Sequence, residues 1–319
     1  MDAVEGETGA ATDAGGALLL VGNPTSGRGR AGRWIERARR ELERAAIDHV
    51  VATARGEAAE LIAKEPDRFR EHWVFGGDGT VADLANALAH RHAAESRPPR
   101  APPRIALFPT GTGNVVARDL GVPLDFDGAL AVARGGVLRP FDLGRLDGRR
   151  FAFMVSAGLD AELARWVADR RRGPMRRTDW IRAALACPRF AREAPLDVIA
   201  DGRQLGSFRF AAVFNCGLYA GGFRVCPRAR FDDGCFELLL LREPIRPRWK
   251  RVVWAAFRHR PESLPDATLL SATRIELRGV ACSQVDGDPG PAGDLSLSIE
   301  PAALSVRAPF SSGRSPSPG

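Results

Sequence analysis

Gly76-Gly77-Asp78-Gly79-Thr80 is a glycine-rich turn that follows directly on a short apolar segment, Trp73–Phe75. Beyond the turn, apolar residues recur at the spacing of one helix face: Val81, Leu84, Ala85 and Leu88. The pattern predicts a strand, a tight turn and a helix in succession. Thr80 stands where an N-cap is expected, and Asp83 follows it at the spacing of a capping box.

Two more glycine-rich turns follow predicted strands on either side of this one. Residues 23–28 come after the apolar run Ala17–Val21, and residues 109–114 come after Ile105–Phe108. In a parallel sheet the ends of such strands meet at one edge, where ligands bind. Glycine lets the backbone approach a phosphate, and a helix N-terminus attracts an anion. Packing alone explains any single turn equally well, whereas three turns in succession favour a phosphate site.

The segment 17–142 repeats the strand–turn–helix unit, which predicts an α/β, Rossmann-like domain with a parallel sheet. Over 143–299 short strands and two hairpin-type pairs, Asp201-Gly202 and Asp286-Gly287, predict a mainly-β sandwich domain. Its strands are expected at 151–155, 196–200, 208–215, 236–241, 273–277 and 295–299, with a helical excursion around 160–192. The chain is expected to return to the first domain at 300–310, and residues 1–16 and 311–319 are expected to be disordered tails.

Several classes of protein are excluded by simple counts. No apolar run approaches the length of a membrane-spanning helix, and the acidic start of the chain does not resemble a signal peptide, so a cytoplasmic protein is expected. The chain has only two lysines, Lys64 and Lys250, and neither lies in a P-loop motif. The five cysteines form no C-x-x-C pair, which argues against a zinc site and against disulfides.

The formal charge of +7 is concentrated in two basic patches. Residues 161–193 carry nine arginines and four acids, and residues 242–260 carry six arginines and Lys250 against one acid. Both patches contain large apolar residues: Trp166, Met175, Trp180, Ile181, Trp249, Trp254 and Phe257. Basic residues mixed with tryptophan suit an anionic membrane surface, although an ordinary solvated helix face is an equally good explanation for either patch. No nucleic-acid-binding motif accompanies them, so no nucleic-acid partner is expected.

The turn at 76–80 resembles the signature of the diacylglycerol kinase catalytic domain family, whose superfamily includes sphingosine and ceramide kinases, bacterial lipid kinases and, more distantly, NAD kinases. Further family motifs follow in the same order from about residue 17 to about 308. They are Asn23-Pro24-x-Ser26-Gly27, Gly111-Thr112-Gly113-Asn114 with Ala117-Arg118, Asp142, Gly158-x-Asp160-Ala161, Asn215, Gly221-Gly222, Pro227-x-Ala229, Asp233-Gly234 and Asp286-Gly287-Asp288.

The resemblance implies an ATP site between the two domains. Its nucleotide-binding positions fall on Asn23, Thr53, Gly76, Gly77, Asp78, Gly79, Thr80, Gly111, Thr112 and Asn114. Asp78 is also expected to act in catalysis by orienting the nucleotide phosphates and Mg²⁺. Arg28 and Arg30 are candidates for phosphate contacts, although arginines on a loop are more often simply solvated.

The resemblance also implies a Mg²⁺ site and a general base in the second half of the chain. The carboxylate of Asp233 and the backbone carbonyls of Arg230 and Cys235 would bind the metal, a set of hard oxygen ligands. The turn chemistry of Asp232-Asp233-Gly234 by itself fits a plain β-turn equally well. Asp288 falls where the family usually has a glutamate that accepts the proton of the lipid hydroxyl. A second departure is Val115, where many members carry aspartate.

The function implied is an ATP-dependent lipid kinase acting on diacylglycerol or a related lipid alcohol, such as phosphatidylglycerol or a sphingoid base. Two alternatives stay open at this point: a kinase of a soluble substrate akin to NAD kinase, and a nucleotide- or lipid-binding relative without turnover. A lipid kinase would meet its substrate in the membrane and would associate with it peripherally. The oligomeric state is left open, a homodimer included.

Overall fold

A computed structural model describes residues 16–54, 56–65, 67–94, 101–170, 193–219 and 223–310. The expected disordered tails lie outside these residues, apart from Gly16. Most of the first basic patch, residues 171–192, and the pair Gly221-Gly222 also lie outside them.

The first half of the chain alternates strands and helices. Its elements are β1 (Ala17–Gly22), α1 (Ser26–Arg44), β2 (His49–Ala52), α2 (Glu57–Lys64), β3 (Phe69–Gly76), α3 (Asp78–Ala94), β4 (Arg104–Pro109), α4 (Val115–Asp119) and α5 (Phe126–Gly135). The strands pair in the order β2-β1-β3-β4, and every pair is parallel. The predicted α/β architecture is therefore confirmed.

The second half is mainly β. It contains β5 (Val137–Leu146), β6 (Arg149–Phe151), β7 (Met154–Ala157), α6 (Leu159–Arg170), β8 (Leu196–Ala200), β9 (Arg203–Phe208), β10 (Phe210–Phe214), β11 (Leu218–Tyr219), β12 (Phe223–Arg224), β13 (Phe236–Leu241), α7 (Trp249–Phe257), β14 (Ala267–Ala272), β15 (Arg274–Val280), β16 (Ser283–Val285), β17 (Asp288–Pro289) and β18 (Gly293–Ala308). Two short 3-10 helices span Arg246–Arg248 and Pro261–Ser263.

The predicted sandwich is confirmed as two sheets that share one apolar core. Strands β14-β13-β10-β7-β16-β17 form the smaller sheet, and β18-β15-β8-β9 continue the larger one. Side chains from both sheets are buried together between them: Phe151, Phe208, Phe236, Leu238, Leu277 and Leu297. Every residue of β13 is buried, as its run of apolar residues predicts.

Strand β18 joins the two halves of the molecule. Near the end of β18, Ser305 and Val306 pair in parallel with the start of β4. The beginning of β18 pairs instead with residues 274–280 of β15, in antiparallel orientation. From Leu297 to Ala308, β18 also runs antiparallel to β5, with a register shift between Glu300 and Leu304. The larger sheet is therefore continuous across both halves. Asp142 lies within β5.

The start of α3 differs from the expectation. The helix begins at Asp78, so Thr80 lies in its first turn and is not the N-cap. The physical reason is a close contact within the turn, because a Cβ placed on Gly76 would lie 2.2 Å from the Thr80 hydroxyl oxygen. The absence of a side chain at Gly76 thus lets Thr80 fold back over the end of β3, and the helix starts earlier.

Candidate active site

The three glycine-rich turns meet at the carboxyl edge of the parallel strands. The backbone N–H groups of Thr110 and Gly111 donate to the carbonyl of Gly76 over 3.0 and 3.3 Å. A Cβ on Gly111 would lie 2.5 Å from the Cα of Gly77, so neither side of this contact has room for a side chain. A Cβ on Gly27 would lie 2.2 Å from the carbonyl oxygen of Thr110, which places the first turn against the third.

The first turn has an irregular backbone. Gly27, Arg28 and Gly29 have φ values of 59°, 60° and 80°, in the left-handed region. The Asn23 side-chain oxygen accepts from the N–H and the hydroxyl of Thr25 over 3.0 and 2.7 Å, which ties the start of the turn together. Because these three successive residues are left-handed, the backbone at 27–29 is not helical, and the regular part of α1 begins after Gly29.

Arg30 faces the third turn, whereas Arg28 is exposed. The guanidinium of Arg30 donates to the carbonyl of Pro109 over 3.4 Å, and its Nε is buried without a hydrogen-bond partner. Arg30 is therefore the better placed of the two predicted phosphate-contacting arginines, because an unsatisfied cationic donor at the turns can bind an anion.

Asp78 links the second turn to the third. Its Oδ1 accepts from the backbone N–H of Val116 over 3.0 Å, at the N-terminus of α4. Burial raises the pKa of Asp78, while the N–H groups of Val116, Val115 and Asn114 oppose that shift. A Cβ on Gly113 would lie 3.2 Å from the other carboxylate oxygen. The carboxylate therefore holds two strand ends in one arrangement, a role that the sequence did not predict.

The remaining predicted nucleotide positions lie along the same edge. Thr53 is exposed at the end of β2, and its N–H donates to the Glu57 carboxylate over 2.7 Å. Thr112 is exposed in the third turn. Asn114 is buried, with its side-chain nitrogen donating to the Gly111 carbonyl over 2.9 Å. The side-chain oxygens of Asn114 and Thr110 are buried without a hydrogen-bond partner, so polar atoms remain unsatisfied where the turns meet.

The turn Asp286-Gly287 brings the second domain to this site. Both residues are left-handed, with φ values of 51° and 90°, and Val285 pairs with Asp288, so the predicted hairpin is confirmed. The Asp286 carboxylate accepts from the N–H groups of Ala152, Phe153 and Met154 over 2.7, 2.9 and 3.1 Å. Burial and the nearby charge of Asp78 raise the pKa of Asp286 to about 6, despite these three donors.

Asp288 is the exposed residue of this turn, and a buried polar network fixes the backbone beside it. The Gln284 side-chain oxygen accepts from the N–H of Gly287 over 2.7 Å. Its nitrogen donates to Ser156 and Asp160 over 3.0 and 3.2 Å. Tyr219 donates to the other oxygen of Asp160. The network leaves Gln284 one amide orientation, because its nitrogen faces acceptors and its oxygen faces a donor.

The predicted metal-binding residues lie in one loop around Asp142. Asp233 is exposed, and the N–H of Cys235 donates to its carboxylate over 3.3 Å. Asp142 accepts from the N–H groups of Gly234 and Ala302 over 2.7 Å each, which fixes the loop to β18. Arg230 points to Asp232, with 3.0 Å between the guanidinium and the carboxylate. Within the described ranges, no three His, Cys, Asp or Glu side chains are grouped to bind a metal ion.

Comparisons with known proteins agree with this arrangement. The family model of the diacylglycerol kinase catalytic domain matches residues 17–146. The model of the YegS C-terminal NAD kinase beta sandwich-like domain matches residues 153–308. Together they cover most of the chain, and the chain belongs to the diacylglycerol kinase catalytic domain family. As the family implies, it is a kinase that uses ATP.

Individual relatives match three quarters of the chain or more. A diacylglycerol kinase of Mycobacterium tuberculosis is 28% identical over 316 residues, covering 92% of this chain and 96% of that protein. A diacylglycerol kinase of Bacillus subtilis is 26% identical, covering 75% and 78%. The crystal structure of a diacylglycerol kinase from Bacillus anthracis superimposes with a TM-score of 0.72 at 20% identity, covering 92% of this chain and 97% of that chain, which supports the fold.

The glycines of the turns differ in the space around them, which gives a first prediction. A Cβ added at Gly79 would have nothing within 4 Å, whereas one at Gly111 would meet close contacts. Gly111→Ala should lose about 1–3 kcal/mol of unfolding free energy through overpacking. Gly79→Ala should keep its stability or gain up to about 1 kcal/mol, and should bind ATP more weakly because the methyl group enters the approach path.

Denaturant unfolding and titration with a fluorescent ATP analogue measure the two effects separately. Gly135→Ala, at a helical position with open space around it, is the control. It should lower neither the unfolding free energy nor the affinity for the ATP analogue. Wild-type nucleotide affinity in Gly79→Ala would show that Gly79 does not face the nucleotide.

A second prediction concerns pH and Asp286. Its folded pKa is raised to about 6, so protonation favours the folded state, and the stability it contributes is lost as the pH rises through 6. In Asp286→Asn this group no longer titrates. Between pH 4.5 and 7.5 the unfolding free energy of the wild type should therefore fall by about 2 kcal/mol more than that of the variant. Urea unfolding at several pH values measures the difference, and parallel curves for the two proteins would contradict it.

Proposed function

We propose that the protein transfers the γ-phosphate of ATP to a hydroxyl group of diacylglycerol or a related lipid alcohol, such as phosphatidylglycerol or a sphingoid base. The observation that carries the proposal is that the three glycine-rich turns meet at one edge of the sheet, and that Asp286 lies close enough for the charge of Asp78 to affect its pKa. The glycine-rich turns suit a nucleotide. The 286–288 turn carries the exposed carboxylate of Asp288, which would act on the acceptor hydroxyl. The family relationship to lipid kinases supports the lipid class of acceptor.

The nucleotide phosphates would lie against the glycine-rich turns. Gly79 leaves room for a phosphate to approach the backbone closely. Hydrogen-bond donors to the phosphate would come from the buried Nε of Arg30 and from the irregular backbone at 27–29. We assign nucleotide binding to Asn23, Thr53, Gly76, Gly77, Asp78, Gly79, Thr80, Gly111, Thr112 and Asn114. Asp78 would act chiefly by keeping the second and third turns together, since its Oδ1 is already bonded to Val116.

Asp288 would be the general base. It is exposed on a turn whose backbone is held by hydrogen bonds of Gln284 and Asp286. The Cα position from which its side chain extends is therefore fixed. It would accept the proton of the lipid hydroxyl as the oxygen attacks the γ-phosphate. Aspartate is one methylene shorter than glutamate, and in-line attack is sensitive to such a displacement. The acceptor must therefore approach closer to β17 than a glutamate would require.

Mg²⁺ is the cation that the loop at 230–235 would hold. The exposed carboxylate of Asp233 and the carbonyls of Arg230 and Cys235 are hard oxygen donors, which fit a magnesium ion that keeps several waters. When bound, the ion would neutralise negative charge near the site. Asp142 would fix the loop through Gly234, and burial together with the charges of Asp233 and Asp232 raises the pKa of Asp142.

Helix α7 would be the membrane-facing element of the second basic patch. Val253 is 56% exposed and Trp254 is 60% exposed, among the exposed residues Lys250, Arg251 and Arg258. The opposite side of the helix is anchored by buried Ala255. Among the described helices, none is long and apolar enough to cross a bilayer. We propose a cytoplasmic enzyme of phospholipid biosynthesis that binds anionic membranes peripherally through α7.

A third prediction tests Asp288. With labelled ATP, Mg²⁺ and diacylglycerol in vesicles, Asp288→Asn should lose about 10²- to 10⁴-fold in turnover, and Asp288→Glu should remain active. Nucleotide affinity should not change in either variant. Asp197→Asn, another exposed aspartate of the second domain, serves as the control. Label that appears in NADP from a parallel tube with NAD, and not in lipid, would contradict the lipid-kinase proposal. Full turnover by Asp288→Asn would exclude it as the base.

A fourth prediction tests α7. The protein should sediment with anionic vesicles at low salt and be released at high salt. Lys250→Ala/Arg251→Ala should lose about 2 kcal/mol of vesicle-binding free energy, because each basic residue contributes about 1 kcal/mol. Arg149→Ala/Arg203→Ala removes the same charge from exposed strand starts and should bind like the wild type. Equal binding to neutral vesicles would contradict the electrostatic attraction.

A further inference from the structure

A second basic site lies at the opposite edge of the parallel sheet, about 20 Å from the glycine-rich turns if β3 is taken as fully extended. It is a cavity of about 140 Å³ at the amino ends of β1, β3 and β4. Its lining residues are Leu18, Ile47, Arg70, Glu71, Trp73, Arg104, Ala133, Arg134 and Arg307. Four arginines and one glutamate leave the lining with a formal charge of +3.

The arginines of this cavity are not equivalent. Arg307 forms an ion pair of 2.9 Å with buried Glu71 and also donates to the carbonyl of Gly136 over 3.0 Å, so it belongs to the framework. Arg134 lies 3.4 Å from the carboxylate of Glu41, at a half-exposed position. Arg70 and Arg104 form no ion pair with a carboxylate of the described residues.

The floor of the cavity is apolar. Leu18, Trp73 and Ala133 are buried there, and the Trp73 indole N–H donates to Glu71 over 3.2 Å. The four arginines line the same cavity. Guanidinium groups bind phosphate oxygens with charge-assisted, often bidentate hydrogen bonds. Apolar residues next to arginines that lack an ion-pair partner among the described residues suit a molecule that has both a phosphate and a small apolar part.

We propose that this cavity binds a small phosphate monoester, with Arg70 and Arg104 as its principal ligands. The volume can enclose a phosphate and a group of a few carbon atoms, but not the acyl chains of a phospholipid. The site is separate from the nucleotide turns, because Arg70 and Arg104 lie at the starts of β3 and β4 and the turns lie at their ends.

The test uses phenyl phosphate and inorganic phosphate with protein containing 5-fluorotryptophan. Trp73 lines the cavity, so its fluorine resonance, identified with Trp73→Phe, reports binding at this site and not at the nucleotide turns. Phenyl phosphate should shift the resonance saturably and at lower concentration than inorganic phosphate does. Arg70→Ala/Arg104→Ala should raise the half-saturating concentration at least about tenfold, since two charge-assisted ligands are lost.

Arg149→Ala/Arg203→Ala is the matched control, with the same loss of charge at strand starts outside the cavity, and should stay within about twofold of the wild type. Arg104→Ala alone, at an exposed position, provides the same test if the double variant does not fold. The proposal is overturned if phenyl phosphate leaves the Trp73 resonance unchanged, or if both double variants bind it equally. Neither outcome bears on the kinase activity, which depends on the other edge of the sheet.

Discussion

The hydrogen bond between Asp78 and the N-terminus of α4 is the interaction on which the candidate active site depends. It joins the turn after β3 to the turn after β4, and the side chain that makes it is buried enough for its pKa to be raised. Glycines at 77 and 111 let the two backbones touch, and Gly27 brings the first turn against Thr110. An aspartate is suited to this position because a carboxylate stabilises the positive end of a helix, even a short one.

The Asp78 carboxylate also lies close enough to the second domain for its charge to act there. It contributes to the raised pKa of Asp286, whose side chain accepts from three successive N–H groups, of Ala152, Phe153 and the first residue of β7, Met154. Strand β18 links the domains through the sheet, and Asp142 fixes the 230–235 loop to the same strand. A phosphoryl-transfer site needs little covalent chemistry from the protein but accurate positioning of two substrates. The hydrogen bonds of Asp78, Asp286 and Asp142 to backbone N–H groups fix the loops that would position the substrates.

Periodicity predicted the architecture well where each element carries its own pattern. The spacing of Val81, Leu84, Ala85 and Leu88 predicted α3, and all four side chains are buried. The start of α3 at Asp78 could not be predicted, because it depends on Thr80 folding over Gly76. Helix α7 was not among the elements predicted from periodicity, although a solvated helix face was one of the two explanations considered for the basic patch that contains it.

The candidate site was only partly accessible from sequence. Motifs indicated the three turns, and Asp160 was noticed only as part of a motif. Its carboxylate accepts from nearby Ser156 and from Gln284, which is 124 positions away in the sequence and in turn accepts from Gly287. Gln284 and Tyr219 have no local signal at all, since their importance comes from the fold. The basic cavity at the other edge was missed for the same reason, because Arg70, Arg104 and Arg307 come together only in the sheet.

Hydrogen–deuterium exchange with and without Mg·ATP shows whether the three turns form a single nucleotide site next to the 286–288 turn. Nucleotide binding should slow exchange in peptides covering 23–30, 76–81 and 110–116 together, and in the peptide covering 284–290. Protection confined to one of the three turns, or protection of none of them by bound nucleotide, would contradict it.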